Sequence, residues 1–313
     1  MKTLNHSRRK ELKTMKTEQQ RSQLLSFFWK VPAIAAVFFA CKMVSSALVT
    51  NMGLRFPEMP GQIYVPILDF LSAVVLAACL AFLARGIGGS LSKRWLILFA
   101  FTYVSYVVNN QIEGVVFTTN TEVPAMLLFF LFPCVLATGA TILLIRSPES
   151  EIVLSSVFAD RPIRYWWWRV MLAWLVFPVI YYFFGGLIYP LVADVYAQQD
   201  SGLQVPSQFV ILGAVGIRSL FFLLASLPIL VNWRRSRRSL VLSLAAALAA
   251  MVGVAGLIES TWMPTQLRIV HSVEIIADSL VHAWVLVILL VPKPKVEEAE
   301  RIPKLGVETG ASN

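Results

Sequence analysis

Apolar runs about twenty residues long, separated by short polar and basic stretches, recur along the whole chain. A bilayer core about 30 Å thick needs roughly 20 mostly apolar residues per crossing helix. Eight runs meet that length, near residues 27–50, 64–84, 95–116, 124–145, 167–193, 206–232, 239–258 and 269–291. The pattern predicts an all-α polytopic integral membrane protein with eight transmembrane helices. No connecting stretch exceeds about 25 residues, which leaves no room for a separate soluble catalytic domain.

Composition agrees with the periodicity. The chain is 57% hydrophobic and 14% charged, whereas soluble domains carry about 25% charged residues. A net charge of +9 would suit a nucleic-acid partner only if the basic residues shared one folded surface. Instead they alternate with the helices. The tail and first-helix entry up to Lys30, the loops 85–94, 146–169 and 233–238, and the C-terminal tail hold 23 of the 27 Lys and Arg residues. The opposite side holds Arg55 and Arg268, while Lys42 and Arg218 fall within helices. Because cytoplasmic loops retain basic residues, both termini are expected in the cytoplasm, with the protein in the plasma (inner) membrane and no nucleic-acid partner.

The polar opening is followed by an apolar run too long for a signal-peptide core and without a small-residue cleavage site, so that run is expected to stay as an anchor. Met1-Lys2-Thr3 recurs as Met15-Lys16-Thr17, which makes Met15 an alternative start. Cys41, Cys79 and Cys134 all lie inside apolar runs, and no disulfide is expected. Trp166 to Trp168 read as an interfacial aromatic belt. Arg85-Gly86-Ile87-Gly88-Gly89 lacks the Lys-Ser/Thr of a phosphate-binding loop and reads as a turn.

The two halves carry matching features. Phe28-Trp29-Lys30-Val31 corresponds to Trp167-Trp168-Arg169-Val170, and Val65-Pro66 to Val205-Pro206. Lys93-Arg94 corresponds to Arg237-Arg238, and Ile112-Glu113 to Ile258-Glu259. The offsets rise smoothly as 139, 140, 144 and 146. Four helices separate the copies, so they share one orientation, and two parallel four-helix repeats are expected. The resulting division is a basic tail at 1–26, a first repeat at 27–146, a connector at 147–166 with an amphipathic stretch from Ile152 to Phe158, a second repeat at 167–291, and a disordered tail at 292–313.

One stretch breaks the apolar pattern. In RIVHSVEIIADSLVHAW, residues 268–284, helical rotation of 100° per residue puts Asp278 about −20°, His282 about +20°, Glu274 about −60° and Arg268 about +60° from His271. All five share one face, and the span from His271 to His282 is roughly 16 Å. An acidic residue at a helix centre costs roughly 2.5 to 3.5 kcal/mol to insert, so this face must look into protein or a water-filled cavity. Depth counting, to about 13–18 Å from the outer surface, pairs Arg218 with Asp278. Lys42 is expected to reach Glu113 or Asp69. Asn109 and Glu113, at i and i+4, share a face, beside Tyr106 and Asn110, and Glu259 holds the equivalent place in the second half.

Three functions fit this cluster. The groups serve packing alone; or they form the substrate and proton site of a permease for a solute or lipid; or they build a membrane-embedded enzyme on a lipid-like substrate, with His271, Glu274, Asp278 and His282 as a metal set. Spread along one helix, those four ligands do not suit an ion that needs donors about 2 Å away, and no HExxH is present. The working reading is the permease, without a cofactor, its partners being the bilayer and a small solute or lipid. Its expected site comprises His271, Glu274, Asp278, His282, Arg218, Glu259, Arg268, Asn109, Asn110, Glu113 and Lys42.

Overall fold

The computed structural model describes residues 2–58, 61–118, 122–147, 161–196 and 203–291, with side chains from residue 26 onward. Among the described residues eight helices are long and apolar enough to cross a membrane. They are α1 (Ser26–Asn51), α2 (Pro66–Ala84), α3 (Leu91–Phe117), α4 (Val123–Leu144), α5 (Ile163–Tyr196), α6 (Gln208–Asn232), α7 (Arg237–Glu259) and α8 (Thr265–Leu290). Each overlaps a run read from hydropathy, with ends that differ from it by up to four residues. The chain is an all-helical, multi-pass membrane protein. The helical backbone of α1 begins further back, at Lys2. The amphipathic stretch 152–158 and the tail 292–313 lie outside the described residues.

Packing neighbours close a ring in the order α1, α2, α7, α8, α5, α6, α3, α4 and back to α1. Cross-ring contacts join α3 to α7, α2 to α4 and α6 to α8. The outer wall is greasy, as lipid contact requires: Phe28, Leu143 and Phe209 are more than 70% exposed, and α5 is the most peripheral helix.

The basic residues at the α2–α3 end have a structural part. A helix leaves its last four carbonyls without intrahelical donors, and a guanidinium can reach several at once. Buried Arg94 donates to Ala84 O, Ile87 O and Ile145 O at 2.9–3.0 Å, closing the ends of α2 and α4. Arg169 and Arg237 do the same for α8, through Leu289 O at 2.7 Å and Val287 O at 3.0 Å.

The glycine-rich turn after α2 is more specific than a plain turn. Ile87 forms an antiparallel bridge with Trp233, in which Gly88 N–H donates to Asn232 O at 2.9 Å and Arg234 N–H to Gly86 O at 2.8 Å. A Cβ on Gly86 would lie 2.2 Å from the Trp233 ring, and one on Gly88 1.8 Å from the Arg234 side chain. Gly89 has φ +116°, a conformation that L side chains rarely adopt. The helices that follow start alike, with Ser90 capping Lys93 N–H and Ser236 capping Ser239 N–H.

Hydropathy gives no sign of a further feature. Both α3 and α7 contain a π-helical segment, Tyr103–Val108 and Ala250–Val254. Such bulges are concentrated at functional sites. Here they lie one turn before Asn109–Glu113 and before Gly256, both next to the polar interior.

Candidate functional site

The polar side chains divide between two cavities at the end of the bundle where the α1–α2, α3–α4, α5–α6 and α7–α8 connections lie. The larger, about 400 Å³, is enclosed by α3, α5, α6, α7 and α8 and reaches from Leu203 and Trp262 in the connections inward to Asp278. Asp278 is thirteen residues into α8, about 20 Å along its axis.

On one wall Arg218 of α6, only 2% exposed, forms an ion pair of 2.7 Å with Glu113 and donates through Nε to Asn109 Oδ1 at 3.1 Å. The expected Arg218–Asp278 pair is not formed. Depth along a helix fixes height but not azimuth, and α6 turns Arg218 toward α3, where the i, i+4 pair Asn109 and Glu113 presents two acceptors. Asn110 donates instead to Met251 O at 2.9 Å, occupying a carbonyl inside the π-helical turn of α7.

The opposite wall holds a hydrogen-bonded chain. Tyr196 Oη lies 3.1 Å from His271 Nε2, and His271 Nδ1 lies 2.7 Å from Glu274 Oε2. The α5 backbone passes close to this carboxylate: a Cβ on Gly185 would sit 3.5 Å from Glu274 Oε1, an ordinary van der Waals contact. One turn deeper, Asp278 is buried and its Oδ1 accepts from the neighbouring Ser279 hydroxyl, at 3.2 Å. No Lys or Arg nitrogen lies within 4 Å of either Glu274 or Asp278 among the described residues.

His282, expected in the same site, is outside the cavity. It is fully buried against the rings of Phe177 and Phe222, at centroid distances of 4.9 and 6.1 Å, and its Nε2 has no hydrogen-bond partner. These three rings close the inner end of the cavity. Arg268 is also outside it, donating to Thr265 Oγ1 at 3.3 Å. The alternative metal set His271, Glu274, Asp278 and His282 therefore does not converge, and among the described residues no group of three His, Cys, Asp or Glu side chains does.

Lys42 and Glu259 belong to a second, smaller cavity of about 270 Å³ between α1, α2, α4 and α7. Lys42 is buried and pairs with Asp69 and, at 2.9 Å, with Glu259 Oε2. Of its two expected partners Asp69 is found; Glu113 is not, being held by Arg218. Tyr64 donates to Asp69 Oδ2 at 3.1 Å. Thus Glu113 and Glu259 each accept a cation from a helix of the other half.

Sequence reading missed the aromatic side of the larger cavity: Tyr181 and Tyr196 from α5 and Trp262 from the α7–α8 connection. In a chain with 12% aromatic residues they carry no distinguishing signal beyond position. No protein-family model, no curated protein and no solved structure matches this chain.

Proposed function

We propose that this protein is a permease whose larger cavity is the solute site, open toward the extracytoplasmic side, with both termini in the cytoplasm of a plasma-membrane protein. One observation carries the reading: a cavity of about 400 Å³ combines ionisable groups at mid-depth with an entrance among the connecting loops and a closed aromatic inner end. Packing alone does not call for such a volume beside His271, Glu274 and Asp278. The orientation is supported by the sparse basic charge at the entrance end, Arg55 and Arg268, against the arginine-rich opposite end.

In this reading the Tyr196–His271–Glu274 chain passes protons between the outer solution and Asp278. A histidine is suited to this because its ordinary titration lies near neutrality. The site residues are then His271, Glu274, Asp278, Arg218, Asn110 and Glu113. Asn109 holds Arg218 in place, and His282 belongs to the inner seal. For solute to leave toward the cytoplasm, the Phe177–Phe222–His282 contact must part.

Two parallel repeats, 27–146 and 167–291, belong to the same proposal, since rocking of one half against the other is how such folds alternate access. Support comes from equivalent positions. The Gly86–Gly88 and Asn232–Arg234 backbones exchange hydrogen bonds at an offset of 146, and the helix ring maps onto itself when each helix is exchanged with the one four later. The test is proteoliposomes loaded with a pH-sensitive dye and given panels of cationic, anionic, zwitterionic and neutral solutes. One class should drive proton flux that Asp278→Asn abolishes. Flux equal to that of empty liposomes for every class would count against the permease.

A further inference from the structure

We propose that the solute is an organic cation with an aromatic or aliphatic body, held by Asp278 and Glu274 and exchanged there against protons; this rests on the permease reading of the same cavity. The first argument is charge. Among the described residues the cavity presents four carboxylates, Glu113, Glu122, Glu274 and Asp278, against one permanent cation, Arg218. Arg218 is already engaged by Glu113 and Asn109. His271 is the only other group that can become positive, and it faces Glu274.

The second argument is a buried carboxylate with no cation in contact. Asp278 is more than nine-tenths buried and lines the cavity, and its only hydrogen-bond partner among the described residues is its chain neighbour Ser279. Two carboxylates one helical turn apart cannot both stay ionised in a desolvated site without a positive neighbour. The neighbour must be either a proton or a cation, so the two compete. That competition couples entry of one to release of the other.

The third argument is the wall. Tyr181, Tyr196 and Trp262 line the same cavity as the carboxylates, and Phe117 and Phe177 extend the aromatic lining. Aromatic faces attract cations, more strongly once water is excluded. They also accept an apolar body, which a small inorganic ion would not use. An organic anion meets the opposite charge balance, and of the sole guanidinium lining the cavity Nε and Nη2 are held by α3, which leaves Nη1 alone without a partner.

The groups that decide pH dependence come from every surrounding helix. From α8 they are His271, Glu274, Asp278 itself and, beyond the seal, His282; α3 gives Glu113, the α3–α4 connection Glu122, and α6 Arg218. From α5 come Tyr181 and Tyr196, while the lining residues of α7 carry no titratable side chain among those that precede Glu259.

The experiment measures binding of radiolabelled tetraphenylphosphonium to the full chain in detergent, with tetraphenylborate as a competitor of the same shape and opposite charge. Saturable binding should appear at about pH 8, weaken about tenfold or more at about pH 5.5 as protons occupy the carboxylates, and resist tetraphenylborate. Glu274→Gln and Asp278→Asn should each weaken it about tenfold or more in protein that remains monodisperse. No saturable binding, displacement by tetraphenylborate, or affinity independent of pH overturns the proposal, and the wild-type pH series decides even if a variant fails to fold. Binding as described with no tetraphenylphosphonium counterflow in proteoliposomes would leave the cation site standing and remove the permease.

Discussion

Removing Glu113 should cost more stability than removing both Glu113 and Arg218. Arg218 is 2% exposed, whereas the Glu113 side chain is 41% exposed to the cavity. Glu113→Ala therefore strands a buried guanidinium with Asn109 as its only acceptor. Breaking a buried pair from one side costs about 3–5 kcal/mol, and the partial exposure of Glu113 points to the lower end, about 3 kcal/mol. Arg218→Met leaves Glu113 facing the cavity, where water can solvate it, and orphans Asn109 Oδ1 at about 1–2 kcal/mol. The double variant strands no charge and should resemble Arg218→Met. Adding Arg218→Met to Glu113→Ala should thus recover about 1–2 kcal/mol. The assay is reversible unfolding in mixed micelles of rising SDS fraction, followed by tryptophan fluorescence. Additive losses, with the double variant the least stable of the three, would refute the reasoning.

Further outcomes follow from other sites. Gly86→Ala drives a methyl group into the Trp233 ring and should destabilise by about 1–3 kcal/mol in the same assay. Arg94→Met removes three bonds from a charged donor to helix-end carbonyls and should cost about 4 kcal/mol or more, with Arg94→Lys recovering only part. Phe177→Ala with Phe222→Ala opens the inner seal and should raise passive proton leak in proteoliposomes; unchanged leak would show that the seal lies elsewhere. In a background without Cys41, Cys79 and Cys134, a cysteine replacing Arg55 should react with an impermeant maleimide in intact cells and one replacing Ser92 should not; the reverse pattern inverts the topology.

How much the sequence disclosed varies by residue. All eight helices were legible because lipid imposes length and apolarity on each one separately, so no knowledge of neighbours was needed. The stripe His271, Glu274 and Asp278 was legible for the same reason, as rotation about a single axis follows from spacing. Pairings across helices were not. Arg218 and Asp278 share a depth, yet which helix stands opposite α6 is fixed by packing order, and α3 takes that place. His282 lies on the same stripe, but Phe177 and Phe222 from other helices cover it. Lys42 and Glu259 carry the same kind of signal as Arg218 and Glu113, and the sequence could not show that they line a second cavity. The π-helical turns in α3 and α7 left no mark in composition, though the one in α3 directly precedes Asn109 and Glu113.

The account turns on whether the larger cavity is reached from outside and favours positive charge. Gly256 lines that cavity, and a Cβ built there meets nothing within 4 Å, so a cysteine replacing it should fit without strain. The measurement is its rate of modification in intact cells by impermeant methanethiosulfonates bearing trimethylammonium or sulfonate, each normalised to a cysteine replacing exposed Met52. The account predicts modification from outside, with the cationic reagent favoured about tenfold or more after normalisation, and protection by tetraphenylphosphonium. Reaction only after permeabilisation, or a normalised preference for the sulfonate, contradicts it.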